Sequence, residues 1–109
     1  MKLVMSIVNG EDAKGLVDAL MDKGYRATII SSTGGFLREG NSTILTLTEE
    51  EKVEELLNII KENCHRRTRY VNPLPPFVEP GGLSTLHPLE VEVGGATVFV
   101  LEVERFEKF

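Results

Sequence analysis

Cysteine is nearly absent: Cys64 is the only one in 109 residues, so no disulfide can form within the chain, and this usage fits the reducing cytoplasm. Long apolar runs are missing too. The opening stretch Leu3 to Val8 is far shorter than the roughly 20 apolar residues of a membrane-spanning helix, and no small-residue cleavage site follows it. No membrane insertion is therefore expected. A basic excess is also lacking. The formal net charge of -5 argues against a general nucleic-acid binder, which needs cations to neutralise phosphates. Histidine is scarce: Cys64 and His65 are adjacent, a poor spacing for holding one metal at a helix end, and His87 is the only other one. Neither a metal nor a cofactor is expected. No nucleophile stands beside an obvious base, so the chain reads as a binding protein rather than an enzyme.

What is present is the composition of one globular domain, with 41% hydrophobic residues. Lys2 to Val8 has strand length and is nearly continuously apolar. Asn9, Gly10, Glu11 and Asp12 supply turn and cap chemistry. Ala13, Leu16, Val17, Leu20 and Met21 then recur at helical spacing, and Gly24 fits the helix stop. A second strand is expected from Ala27 to Ser32 and a third from Ser42 to Leu47. Thr48 with Glu51 three residues later reads as a capping box for a second amphipathic helix carrying Val53, Leu56, Leu57, Ile60 and Cys64. His65, Arg66, Arg67 and Arg69 read as a solvated helix end favoured by the helix dipole. All five prolines and the pair Gly81-Gly82 fall between Arg66 and Pro88, which reads as one long irregular loop. Glu90 to Val93, Gly94-Gly95 and Ala96 to Val103 read as a C-terminal β-hairpin.

The richest segment runs from Gly24 to Asn41, where a β-branched strand opens into Thr33-Gly34-Gly35-Phe36-Leu37-Arg38-Glu39-Gly40. It offers a guanidinium, hydroxyls, glycine backbone amides, an aromatic face and a carboxamide, a set suited to a nucleotide. An ordinary tight turn explains the glycines equally well. The segment is not a triphosphatase phosphate loop, because Gly40 is followed by Asn41 and a strand rather than by lysine, hydroxyl and helix. It is not a dinucleotide fingerprint either, since the glycines precede a strand.

Strand, helix, strand, then strand, helix, strand is the order of a ferredoxin-like α+β sandwich, with both helices on one face of an antiparallel sheet. The strands are apolar on both sides, so the other face needs a cover, and self-association is expected. The fold does not name a function; the site must.

Arg26-Ala27-Thr28, Thr33 to Arg38, Gly40-Asn41 and Val91-Glu92-Val93-Gly94-Gly95-Ala96-Thr97-Val98-Phe99-Val100 together resemble the trimeric PII-like signalling proteins that act as cyclic di-AMP receptors. The resemblance spans essentially the whole chain. It implies a single PII-like domain, residues 1–109, in a cytoplasmic homotrimer. Ligand would lie in clefts between subunits, flanked by a short loop at 33–41 and a long loop at 66–90. These loops would reorder on binding and be read by a downstream partner protein.

Residue by residue, the resemblance makes Arg26 and Thr28 phosphate contacts. Ala27, Gly35, Phe36 and Leu37 would give backbone groups and apolar surface to adenine, Asn41 would read a base edge, and Phe99 would wall the cleft from its other side. Three positions depart from the family pattern: Gly24 where relatives carry a polar residue, Leu47 where they carry glycine, and Lys108 where they carry glutamine. Two alternatives stay open: a PII-like trimer for another adenine nucleotide such as ATP or ADP, and a small ferredoxin-like phosphatase using Arg26 and Asn41.

Overall fold

The computed structural model describes residues 1–30, 40–71 and 89–109. In chain order the elements are β1 (Lys2–Asn9), α1 (Gly10–Asp22), β2 (Thr28–Ile30), β3 (Asn41–Thr48), a 3-10 turn (Glu50–Lys52), α2 (Val53–Asn63), β4 (Arg67–Val71), β5 (Leu89–Val93) and β6 (Ala96–Glu102). It is a mixed α/β chain with an antiparallel sheet of order β2-β3-β1-β6, two helices and a separate β4-β5 ribbon.

Strand β1 is paired on both edges. Lys2 to Asn9 meet Thr48 to Asn41 of β3, and Lys2 to Val8 meet Glu102 to Ala96 of β6. Side chains directly opposite one another in such a ladder share a face. Val4, Ser6 and Val8 therefore lie with Thr46, Ile44 and Val98 on one face, which α1 and α2 cover. Helix α1 contributes Ala13, Leu16 and Leu20, α2 contributes Leu56, Ile59 and Ile60, and Cys64, just past the end of α2, joins the same core. Among the described residues, every buried side-chain nitrogen and oxygen has a hydrogen-bond partner.

The opposite face carries the bulkier side chains. Phe99, Met5, Leu45 and Thr28 form one row across β6, β1, β3 and β2, and Leu101, Leu3 and Leu47 form the next. No helix packs there among the described residues, and Phe99 and Leu101 are nearly half exposed.

Helix α1 starts on Asn9, whose side-chain oxygen accepts from the Glu11 amide at 2.9 Å. It ends in a Schellman turn: Gly24 donates to the Met21 carbonyl at 2.9 Å and Tyr25 to the Leu20 carbonyl at 2.9 Å. Gly24 sits at φ +87°, the left-handed conformation this turn demands. The expected capping box does not form. Thr48 is the buried last residue of β3, and a 3-10 turn without a side-chain cap leads into α2.

Two expectations for the C-terminal half are corrected. Arg67 and Arg69 are not a solvated helix end, because α2 has stopped at Asn63 and both arginines lie on β4. Arg67 forks onto Asp12 with contacts of 2.9 and 3.2 Å, and Arg69 onto Glu11 with 2.7 and 2.9 Å. The two acids beside the α1 cap thus hold the ribbon to the body through bidentate, charge-assisted bonds. Nor do Gly94-Gly95 make a hairpin, since β5 pairs with β4 while β6 pairs with β1. At φ +84° and +80° they swing the chain from one sheet into the other. A Cβ on Gly94 would come within 2.5 Å of the His65 carbonyl oxygen. Within the stretch 66–90, residues 67–71 and 89–90 consequently belong to paired strands, and 72–88 lie outside the described residues.

Gly24→Ala is expected to lower unfolding stability by about 1 kcal/mol and Gly24→Asn by less, because asparagine tolerates the left-handed region. Urea denaturation checks this, and equal losses would contradict it. Glu11 titrates below the ordinary carboxylate range because Arg69 donates to it and adds an attractive charge. Its folded-state pKa being depressed, the stabilisation is present above the unfolded value and is lost as pH falls through the folded one. A carboxyl-carbon NMR titration should show the Glu11 midpoint rising in Arg69→Ala; an unmoved midpoint would show that the ion pair does not form in solution.

Candidate functional site

The α1 stop decides where the first candidate residues go. Tyr25 follows Gly24 into the core, and its hydroxyl donates to Glu55 Oε1 at 3.1 Å and approaches the Lys52 carbonyl at 3.4 Å. Burial first, then the Glu55 carboxylate, raises the phenol's pKa, so the hydroxyl stays a donor at neutral pH. With Tyr25 turned in, Arg26 is turned out and exposed, Ala27 packs against the core, and Thr28 is again exposed.

Arg26 and Thr28 open into a cavity of about 740 Å³, within the size range of ligand clefts. Among the described residues, Leu3, Leu45, Leu47 and Phe106 supply apolar surface, and Lys23, Arg26, Lys52 and Lys108 bring cations where Glu49 brings a carboxylate. Among the described residues none of these four cations forms an ion pair, whereas Lys2, Arg66, Arg67, Arg69 and Arg105 each hold a carboxylate. Cations gathered in a concave, partly apolar site raise the local concentration of anions. The arrangement can hold a flat, negatively charged molecule. All three positions that depart from the family pattern, Gly24, Leu47 and Lys108, line this same cavity.

The other candidates are placed elsewhere. Ala27 can offer the cavity only its backbone. Asn41 opens β3 opposite Asn9, six residues from Leu47 and so about 20 Å away along the strand. It lines a smaller polar pocket of about 170 Å³ with Asn9, Arg66, Gly94, Gly95 and Thr97. Phe99 lies on the uncovered sheet face, three strand spacings from Thr28, or roughly 14 Å. One chain therefore does not bring Arg26 and Asn41 into one site, as the phosphatase alternative needs. Gly35, Phe36 and Leu37 lie outside the described residues.

Sequence reasoning did not foresee Lys23, Lys52 or Phe106 in the cavity. Lys52 arrives there because the Tyr25 hydroxyl sits beside its carbonyl, a contact 27 residues apart with no local signal. Phe106 and Lys108 stand two residues apart in the C-terminal tail and line the cavity together. Cys64 is buried, and desolvation, followed by the Asp12 charge, pushes its thiol up to about 11, which suits a packing residue and not a nucleophile. The described residues hold no group of three or more metal-ligating side chains. None of their helices is long and apolar enough to cross a membrane.

Comparison with known proteins follows the same line. A crystal structure of a functionally unknown protein from Pediococcus pentosaceus ATCC 25745 is 44% identical to this chain. The match covers 99% of this chain and 96% of that one, with a TM-score of 0.75. The family model described as cyclic-di-AMP receptor matches residues 1–109, the whole chain. The protein belongs to the cyclic-di-AMP receptor family.

Proposed function

We propose that this protein is a PII-like signal receptor that binds cyclic di-AMP without turning it over. It works as a cytoplasmic homotrimer of ferredoxin-like domains. Ligand sits in clefts between neighbouring subunits, and the segments 33–41 and 66–90 rearrange around it to be read by a partner protein. The observation that carries this reading is a cation-lined, partly apolar cavity holding Arg26 and Thr28 in a chain of the cyclic-di-AMP receptor family.

The uncovered sheet face supports the oligomer. Leu3, Met5, Leu45, Leu47, Phe99 and Leu101 are larger than most of the side chains the helices cover, and an apolar face of this kind is unfavourable in water unless another surface meets it. The wide separation of Phe99 and Asn41 from Arg26 within one chain supports a cleft built by two. In this arrangement Arg26 and Thr28 take phosphate. Ala27, Gly35, Phe36 and Leu37 meet adenine, Asn41 reads a base edge, and Phe99 comes from the neighbour. Leu47 supports a second reading, since its side chain occupies cavity surface where a base would approach and would favour a differently shaped adenine nucleotide such as ATP or ADP.

Light scattering should give a particle of three 12.1 kDa chains; a monomer would defeat the cleft. Calorimetry should show one cyclic di-AMP per subunit, with ATP and cyclic di-GMP much weaker. A charge-assisted hydrogen bond contributes roughly 1.5–3 kcal/mol, so Arg26→Ala should weaken binding about tenfold to a hundredfold. Tighter binding of ATP would favour the second reading.

A further inference from the structure

Four consecutive residues at the start of α1, Asn9 to Asp12, reach two separate parts of the chain. On the sheet side, Asn9 stands opposite Asn41, the first residue of β3, and the Gly10 amide donates to the carbonyl of Gly40 just before it. A Cβ on Gly10 would lie 2.7 Å from that carbonyl oxygen, so this close approach requires glycine. On the other side, Glu11 and Asp12 hold Arg69 and Arg67 of β4, each through two hydrogen bonds.

The β4-β5 ribbon has little else to hold it. Two paired strands by themselves are marginal in water, and among the described residues neither strand packs extensively on a helix or on the four-stranded sheet. Arg67 and Arg69 stand opposite Val93 and Val91, so the half-buried valines share the ribbon face whose arginines reach α1. The Asp12 side chain is only 10% exposed, and its bonds to Arg67 are therefore largely shielded from water. The ribbon's exit touches the same pair: a Cβ on Gly94 would come within 2.6 Å of Arg67 Nη1 and 3.4 Å of Asp12 Oδ2. The pocket of about 170 Å³ joins the two attachments, since its lining combines Asn9 and Asn41 with Arg66, Gly94 and Gly95 at the ribbon's entry and exit.

We infer that the first turn of α1 couples the entry of β3 to the β4-β5 ribbon, with the Glu11–Arg69 and Asp12–Arg67 pairs forming a latch that ligand held at Asn41 tightens. On the receptor reading, on which this regulation rests, Asn41 takes a base edge of cyclic di-AMP. That contact restrains Gly40 and Asn41, keeps the Gly40 carbonyl on the Gly10 amide, and so fixes the start of the helix from which both carboxylates project. Carboxylates already held in place cost less entropy when the arginines close on them. By linkage, the closed latch strengthens ligand binding by the same factor as ligand strengthens the latch. The order of the ribbon thereby reports occupancy.

Hydrogen exchange read by mass spectrometry follows residues 67–71 and 89–93, with Val53–Asn63 of α2 as the internal standard for an intact fold. Gly10→Ala presses on Gly40 and not on the ribbon, yet it should speed ribbon exchange about fivefold, as should Glu11→Gln/Asp12→Asn, with α2 unchanged. Saturating cyclic di-AMP should slow ribbon exchange about fivefold in the parent chain and leave it unslowed in Glu11→Gln/Asp12→Asn, whose affinity by calorimetry should fall about fivefold. Glu11→Arg alone should speed the ribbon, and adding Arg69→Glu should restore it. Ribbon exchange in Gly10→Ala equal to the parent's, cyclic di-AMP that binds without slowing the ribbon, or an affinity untouched by Glu11→Gln/Asp12→Asn would overturn the coupling and leave the receptor reading standing. Absence of cyclic di-AMP binding to the parent chain would overturn the receptor reading and the ligand-driven latch with it.

Discussion

The double pairing of β1 is the constraint on which the rest of the structure depends. Bonded along its length to β3 on one edge and to β6 on the other, it cannot slip by one residue without turning every one of its side chains to the wrong face against both neighbours. That lock assigns Val4, Ser6 and Val8 to the helices and Leu3, Met5 and Ile7 to the opposite side. Both sets are apolar enough to be a core, and among the described residues only one of them is covered by helices.

The cation-lined cavity hangs from this frame through one short connection. Between the end of α1 and the start of β2 lie five residues, Lys23 to Ala27. Gly24 takes the left-handed turn, Tyr25 and Ala27 go to the core, and the alternation throws Arg26 and Thr28 outward beside Leu45 and Leu47. Tyr25 is the pin, because its hydroxyl reaches α2 and the preceding 3-10 turn together. A second attachment, Glu11 and Asp12 onto Arg69 and Arg67, holds the β4-β5 ribbon and therefore both ends of the 72–88 segment. The cavity and the ribbon are thus fastened to opposite ends of the same helix.

Much of this was legible along the chain. Strand β1, both helices, the Asn9 cap, the Gly24 stop and the apolar second face follow from periodicity and turn chemistry that act over a few residues. The errors have a common physical origin. Thr48 with Glu51 satisfies the local rule for a capping box, yet Thr48 is held at the end of a buried strand and is not available to cap. Arg67 and Arg69 have the composition of a helix end, but Asp12 and Glu11, more than fifty residues earlier, hold them in a strand. Gly94-Gly95 has the composition of a hairpin turn, but the close approach of the His65 carbonyl demands glycine there for another reason.

Local chemistry, then, determined which segments are strands and helices, that Arg26 and Thr28 share a side, and which family the residues resemble. Those properties depend on neighbours in sequence, where steric and hydrogen-bonding rules are nearly independent of the fold. Which strands pair, which apolar face is left uncovered, and which distant lysines join Arg26 around one cavity were decided only when the chain closed on itself. Such contacts are set by competition between surfaces for burial and between cations for carboxylates, and no window along the chain contains both competitors.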